Sequence, residues 1–178
     1  MERPLDHELA ELKERLLTMA SLAEAAVNHA VRALVQRDLD LALRVRESDR
    51  EIDRLEIEVD DLAIHLLAKA PLASDLRLVT MAMKISQNLE RVGDEAAKIA
   101  KRARDLSREA PLNLELPLNA MAERALALLK SALDAFVQHD AAAARALIPQ
   151  DKEVNALHKE IQRRLGAQMR ADVETIPR

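Results

Sequence analysis

Two pairs of carboxylates stand four residues apart in the chain, Asp49 with Asp53 and Glu90 with Asp94. On an α-helix this spacing leaves the two members of a pair about 40° apart around the axis. Like charges so placed cost a few tenths of a kcal/mol. A bridging cation turns that cost into a gain, and carboxylates suit Mg²⁺, Ca²⁺, Mn²⁺ or iron. Glu56 and Asp60 extend the first pair along the same face. The competing explanation is a solvated helix face with weak ion pairs, since Arg46 and Arg50 flank the first pair and Lys98 follows Asp94 by four residues. Gly93 lies inside the second pair. A glycine within a helix costs roughly 0.5–1 kcal/mol, which points to a close backbone approach there, with tight helix packing as the alternative to a functional role.

Other chemistries find little support. The five histidines stand apart from one another, and no Glu-x-x-His occurs, which disfavours a ferritin-like di-iron oxidase. His65 is followed by a lysine one place too late for a phosphotransfer histidine, with no glycine after it. There is no Ser/His/Asp order and no P-loop, and two glycines are too few to cradle a phosphate in the usual way. A carboxylate-bridged metal enzyme would lack any histidine within a turn of its acidic pairs.

The elements that carry these residues are helices. Leu, Ala, Glu and Arg dominate, Phe occurs once, and Trp and Tyr are absent, a composition that favours helix over strand. The net charge of −4 with interspersed signs, and the lack of aromatic stacking platforms, argue against a nucleic-acid partner. Absent cysteine, no membrane-length apolar run and no signal-peptide pattern at the N-terminus lead to the expectation of a cytoplasmic protein. Apolar residues at steps of three and four predict a first helix over 6–35, drawn by Leu9, Leu12, Leu16, Met19, Ala23, Ala26 and Ala30. Arg37-Asp38 marks a turn. A second helix is expected over 40–69, stopping at Ala70-Pro71, and a third over 75–106, capped by Ser74 or Asp75. Residues 107–117 read as a linker.

After the linker the pattern restarts. Val35-Gln36-Arg37-Asp38 matches Val137-Gln138-His139-Asp140, and Asp49-Arg50-Glu51-Ile52 matches Asp151-Lys152-Glu153-Val154, both at an offset of 102. The expected organisation is a complete three-helix unit over 1–106 and a second unit over 118–178 that lacks its third helix. The apolar stripe Leu126, Leu129, Leu133, Val154, Leu157 and Ile161 is then expected to be left uncovered within the chain, which favours a homodimer. Pro149, where the first copy has Glu47, should kink or delay the fifth helix.

The segment Pro71-Leu72-Ala73-Ser74-Asp75-Leu76-Arg77, with Leu89-Glu90-Arg91-Val92-Gly93-Asp94 after it, resembles the signature of the PhoU family of bacterial phosphate-signalling regulators. The resemblance implies an all-α fold of tandem three-helix bundles with antiparallel, spectrin-like helices. It implies a non-catalytic negative regulator of phosphate uptake and of the phosphate-starvation response. The partners implied are the ATPase subunit of a phosphate ABC transporter and a phosphate sensor histidine kinase, with the membrane reached only peripherally through them. It also implies that Asp49, Asp53, Glu90 and Asp94 bind a divalent or ferric ion (Fe, Zn, Mn or Mg), making the protein a metal-binding adaptor. Without the resemblance, the same residues read as a helical interaction module with no metal role. Asn88 in the first copy replaces a residue that is usually acidic in the family; in the second copy Asn155 replaces the counterpart of Asp53 and the helix that would carry the second acidic pair is missing, so no second metal site is expected.

Overall fold

The computed structural model describes residues 4–69 and 72–176, in which all regular structure is helical. The expected stop of the second helix at Ala70-Pro71 lies outside the described residues. Helix α1 spans Pro4–Gln36, α2 Leu39–Ala68 and α3 Ala73–Leu106. On α1 the buried residues Leu9, Leu12, Leu16, Met19, Ala23, Ala26, Ala30 and Ala33 alternate steps of three and four. Val79, Ala82, Ser86, Leu89, Gly93, Ala96, Ala100 and Ala103 do the same on α3. A mean step of 3.5 residues keeps one seam facing its partner along the helix. Both seams turn from large to small residues toward their C-termini, so the axes can approach closely there.

The three helices run up, down and up. Ser86 Oγ donates to Met19 Sδ at 3.6 Å, and Arg37 donates to the carbonyl of Leu106 at 2.8 Å, so α1 and α3 run parallel. Helix α2 is antiparallel to both. Glu58 of α2 and Lys69 at its C-cap pair with Arg15 and Glu8 of α1 at 2.7 and 2.5 Å, and Ile52 packs against Gly93 of α3.

The duplication is visible at the helix corners. Arg37 has φ 58° and His139 φ 57°, left-handed conformations that disfavour non-glycine residues. The next amide in each corner, Asp38 or Asp140, donates back to Ala33 at 3.1 Å or Ala135 at 2.9 Å, the 6→1 bond of a Schellman ending. Each aspartate then caps the following helix by accepting from the amides two and three residues on. Such a cap contributes about 1 kcal/mol, which offsets the strained dihedral.

Helix α4 (Leu118–Val137) runs antiparallel to α1, its two ends placed by Asn119 beside Gln36 and by His139 beside Lys13. A short α5 (Ala141–Leu147), a 3₁₀ turn through Pro149 and α6 (Asp151–Ala171) complete the second unit. Pro149 thus breaks the helix that α2 keeps whole, because proline has no amide to donate and its ring clashes with the preceding turn. Arg124 joins α4 to α6 through Glu153 at 2.6 Å. The stripe expected to lie uncovered is partly covered within the chain: Leu126 and Ile161 are buried, and Leu129 and Leu133 pack against the first bundle's core. The start of α3 also differs from expectation. The helix begins at Ala73, and Asp75 reaches back to accept from the Leu72 amide at 3.2 Å, so Asp75 serves the first turn from inside it. Among the described residues no helix is long and apolar enough to cross a membrane.

The α2–α3 contact yields a test of packing. A Cβ on Gly93 would lie 2.9 Å from Ile52 Cδ1. Alanine's helix advantage of about 0.8–1 kcal/mol should therefore be cancelled in Gly93→Ala, but appear when Gly93→Ala is added to Ile52→Val, which removes that Cδ1. Urea unfolding of the four proteins checks this. An equal gain in both backgrounds would mean that Ile52 does not limit the approach.

Candidate functional site

The heptad seam explains where the carboxylates sit. Ala42, Asp49, Glu56 and Ala63 recur every seven residues on α2, so all four occupy one stripe along the edge of the seam. Ala42 and Ala63 are buried, while Asp49 and Glu56 are half-buried. On the same side of α2, Asp60 is half-buried as well and Asp53 is exposed. From α3, Glu90 is half-buried and Asp94 exposed, and Gly93 between them lets α2 come near: its Cβ position is 3.7 Å from Asp49 Oδ1.

The structure therefore brings the four sequence-derived residues together, with Glu56 and Asp60 beside them. Burial, reinforced by Asp53 and Asp94, pushes the Asp49 carboxyl above its ordinary range. Burial and then Asp60 and Asp53 do the same to Glu56. Glu90 is raised by burial first, and then by Asp94, Glu56, Asp53 and Asp49. One Oδ of Asp60 is buried without a hydrogen-bond partner. Lys98 is the nearby cation, 3.9 Å from Asp94 and 2.9 Å from Glu95.

The cation-binding expectation is not met. Among the described residues no group of three or more His, Cys, Asp or Glu side chains is arranged to hold a metal ion. Ligand oxygens must converge to about 2–2.6 Å from a common point. The carboxylates here are strung along a seam edge, with Asp94 turned to Lys98. A divalent or ferric ion as cofactor, whether Fe, Zn, Mn or Mg, and a metal-binding adaptor role resting on it, are accordingly set aside.

In the second unit the corresponding pair has become attractive. Asn155 Nδ2 donates to Asp151 Oδ2 at 2.6 Å, where the first unit has two like charges. Sequence reasoning did not find the role of Arg37. Its guanidinium donates to the carbonyls of Leu106 and Glu109 and closes the C-terminal end of α3. The partner is remote in the chain, and only the turn itself was visible locally.

A pH dependence follows. A carboxyl whose folded pKa is raised binds its proton more tightly in the folded state. Stability then falls as pH rises through the window between the unfolded and folded values, and is regained on acidification. Asp49, Glu56 and Glu90 act in this sense above the ordinary carboxylate range. Glu160 acts in the opposite sense: held at about 2 by hydrogen bonds from Arg163 and Arg164, it contributes stability that is lost as pH drops below about 4.5. The melting temperature should rise as pH falls from neutrality toward the ordinary carboxylate range and fall at lower pH. Asp49→Asn should raise it at neutral pH and flatten the rise. A wild-type profile that only falls on acidification from neutrality would contradict this.

The PhoU domain profile matches residues 16–103 and 118–176. The chain is 38% identical over 174 residues to a phosphate-specific transport system accessory protein PhoU homolog of Pseudomonas putida, covering 96% of this chain and 68% of that protein. The crystal structure of PhoU from Pseudomonas aeruginosa superposes with a TM-score of 0.91 at 36% identity, covering 97% of this chain and 84% of the other. That of the phosphate transport system regulatory protein PhoU from Streptococcus pneumoniae gives 0.86 at 29% identity, covering 94% and 80%. With both matched segments falling on the two helical units joined by residues 107–117, the chain belongs to the PhoU domain family.

Proposed function

We propose that this protein is a regulatory accessory of phosphate uptake that works through contacts of its helix faces with other proteins, without catalysis and without a metal ion. The observation that carries the reading is the similarity, across both units, to proteins named as accessory to a phosphate-specific transport system. The physical features agree with it. Long helices present continuous charged faces, and the outer side of α2 exposes Ile57 and Ile64, apolar anchors of the kind partner helices use.

The partners that fit are the ATPase subunit of the phosphate transporter and the phosphate sensor histidine kinase, met in the cytoplasm at the inner face of the membrane. The second unit's half-buried Val154 and Leu157 offer a surface for a homodimer. In this account the protein represses the phosphate-starvation response when phosphate is plentiful.

Deleting the gene in phosphate-rich medium should raise expression of phosphate-starvation genes, and re-expressing this chain should restore repression. Transcript measurement in the deleted and complemented strains checks both. Unchanged expression on deletion, with no second copy of the gene present, would overturn the assignment.

A further inference from the structure

One end of the first bundle is basic and carries exposed apolar residues. It is built from the C-terminal turns of α1, the N-terminal half of α2 and the C-terminal third of α3, held together by Arg37 on the carbonyls at the end of α3. Residues 32–50 and 98–109 hold ten Lys and Arg against six Asp and Glu, in a chain whose net charge is −4. The opposite end is acidic: residues 5–15, 53–69 and 72–84 hold ten acidic against six basic residues.

On α2, Leu39, Leu43, Arg46 and Arg50 follow at steps of four, three and four, which places them within an arc of about 60°. Leu39 is 48% and Leu43 56% exposed, and both arginines are exposed. The contact of Ile52 with Gly93 sets the antiparallel register, which brings Leu43 level with Lys101 and Arg102 of α3. Arg44, Arg46, Arg50, Lys101, Arg102 and Arg108 make no ion pair with a described residue. Among the acidic residues of this end, the Asp38 carboxylate is already engaged as the cap of α2. Val35, on the last turn of α1, is exposed as well.

We infer that this end of the bundle docks directly on an anionic lipid surface, with Leu39 and Leu43 entering the headgroup region and the unpaired basic side chains meeting the lipid phosphates. Apolar residues beside Arg and Lys on one helix face are what binding at such an interface requires, and long basic side chains can extend their charge to the headgroups while their stems stay apolar. The polarity of the bundle turns its acidic end away from the negative surface. The contact goes beyond the proposed protein partners and is independent of them. It would hold the protein at the membrane face where a transporter subunit is met.

The test is sedimentation of the intact chain with vesicles of phosphatidylcholine alone, or of phosphatidylcholine with about a third phosphatidylglycerol. Binding should require the anionic lipid and weaken with added salt. Each basic group near such a surface strengthens binding by about five-fold, so Arg46→Gln with Arg50→Gln should weaken it at least ten-fold. Leu39→Ser with Leu43→Ser should do likewise, with helix content by circular dichroism unchanged because these side chains are exposed. Ile64→Ser, at the far end of the same helix, should bind as the parent chain does. The inference is overturned if anionic vesicles bring down no protein, if both double variants bind like the parent, or if Ile64→Ser loses binding equally. Preference for RNA over anionic vesicles in a competition would also overturn it.

Discussion

The close packing of α2 on α3 at Gly93 is the contact on which the rest of the first unit depends. Ile52 is fully buried there, and an added Cβ on Gly93 would come within 2.9 Å of its side chain. This approach fixes the antiparallel register of the two helices, and the register decides which side chains meet. It sets Glu90 against Asp49, Asp53 and Glu56, whose charges it feels. It also brings the C-terminal turns of α3 level with the start of α2, where Arg37 completes the corner. The small residues of the α1 and α3 seams act in the same way along the parallel pair, with Ala26, Ala30 and Ala33 fully buried on α1.

Tight packing has an electrostatic consequence. Asp49 and Glu56 fall on the heptad stripe that elsewhere on α2 holds Ala42 and Ala63, so the seam draws two carboxylates partly out of water. Their proton affinity rises chiefly through lost hydration, and neighbouring like charges add to it. The second unit avoids this tension: Asn155 supplies a donor to Asp151, and Pro149 breaks the helix just before the pair. The two copies share the backbone turn and aspartate cap of their corners, at Arg37 and His139, yet differ in the faces they offer. A duplicated scaffold can thus present two unlike surfaces.

Much of this was legible in the residues because helical packing leaves a periodic trace. The three-and-four spacing from Leu9 to Ala30 announced α1, and the 102-residue offset announced two equivalent corners. Pro149 announced a break. Features that depend on remote partners left no such trace. The start of α3 was misplaced because Leu72 has no capping side chain, and the signal came from Asp75 inside the helix. Coverage of Leu129 and Leu133 depends on how α4 lies on α1, which periodicity within α4 does not encode. For the acidic residues, spacing puts Asp49 with Asp53 on one face of α2 and Glu90 with Asp94 on one face of α3, while the meeting of the two pairs was implied only by the family resemblance. Spacing could not show that their oxygens fail to converge, since that depends on the depth of each residue at the seam edge and on Lys98.

The resulting account is of a helical scaffold whose surfaces, not a bound ion, carry its regulatory work. Its most direct test is titration calorimetry of this chain with the purified ATPase subunit of the phosphate transporter, with and without a chelator such as EDTA. The account predicts binding whose Kd agrees within about two-fold in the two conditions. Loss of binding in the chelator, restored by adding back a divalent or ferric ion, would contradict it, as would the absence of any binding when both proteins are folded.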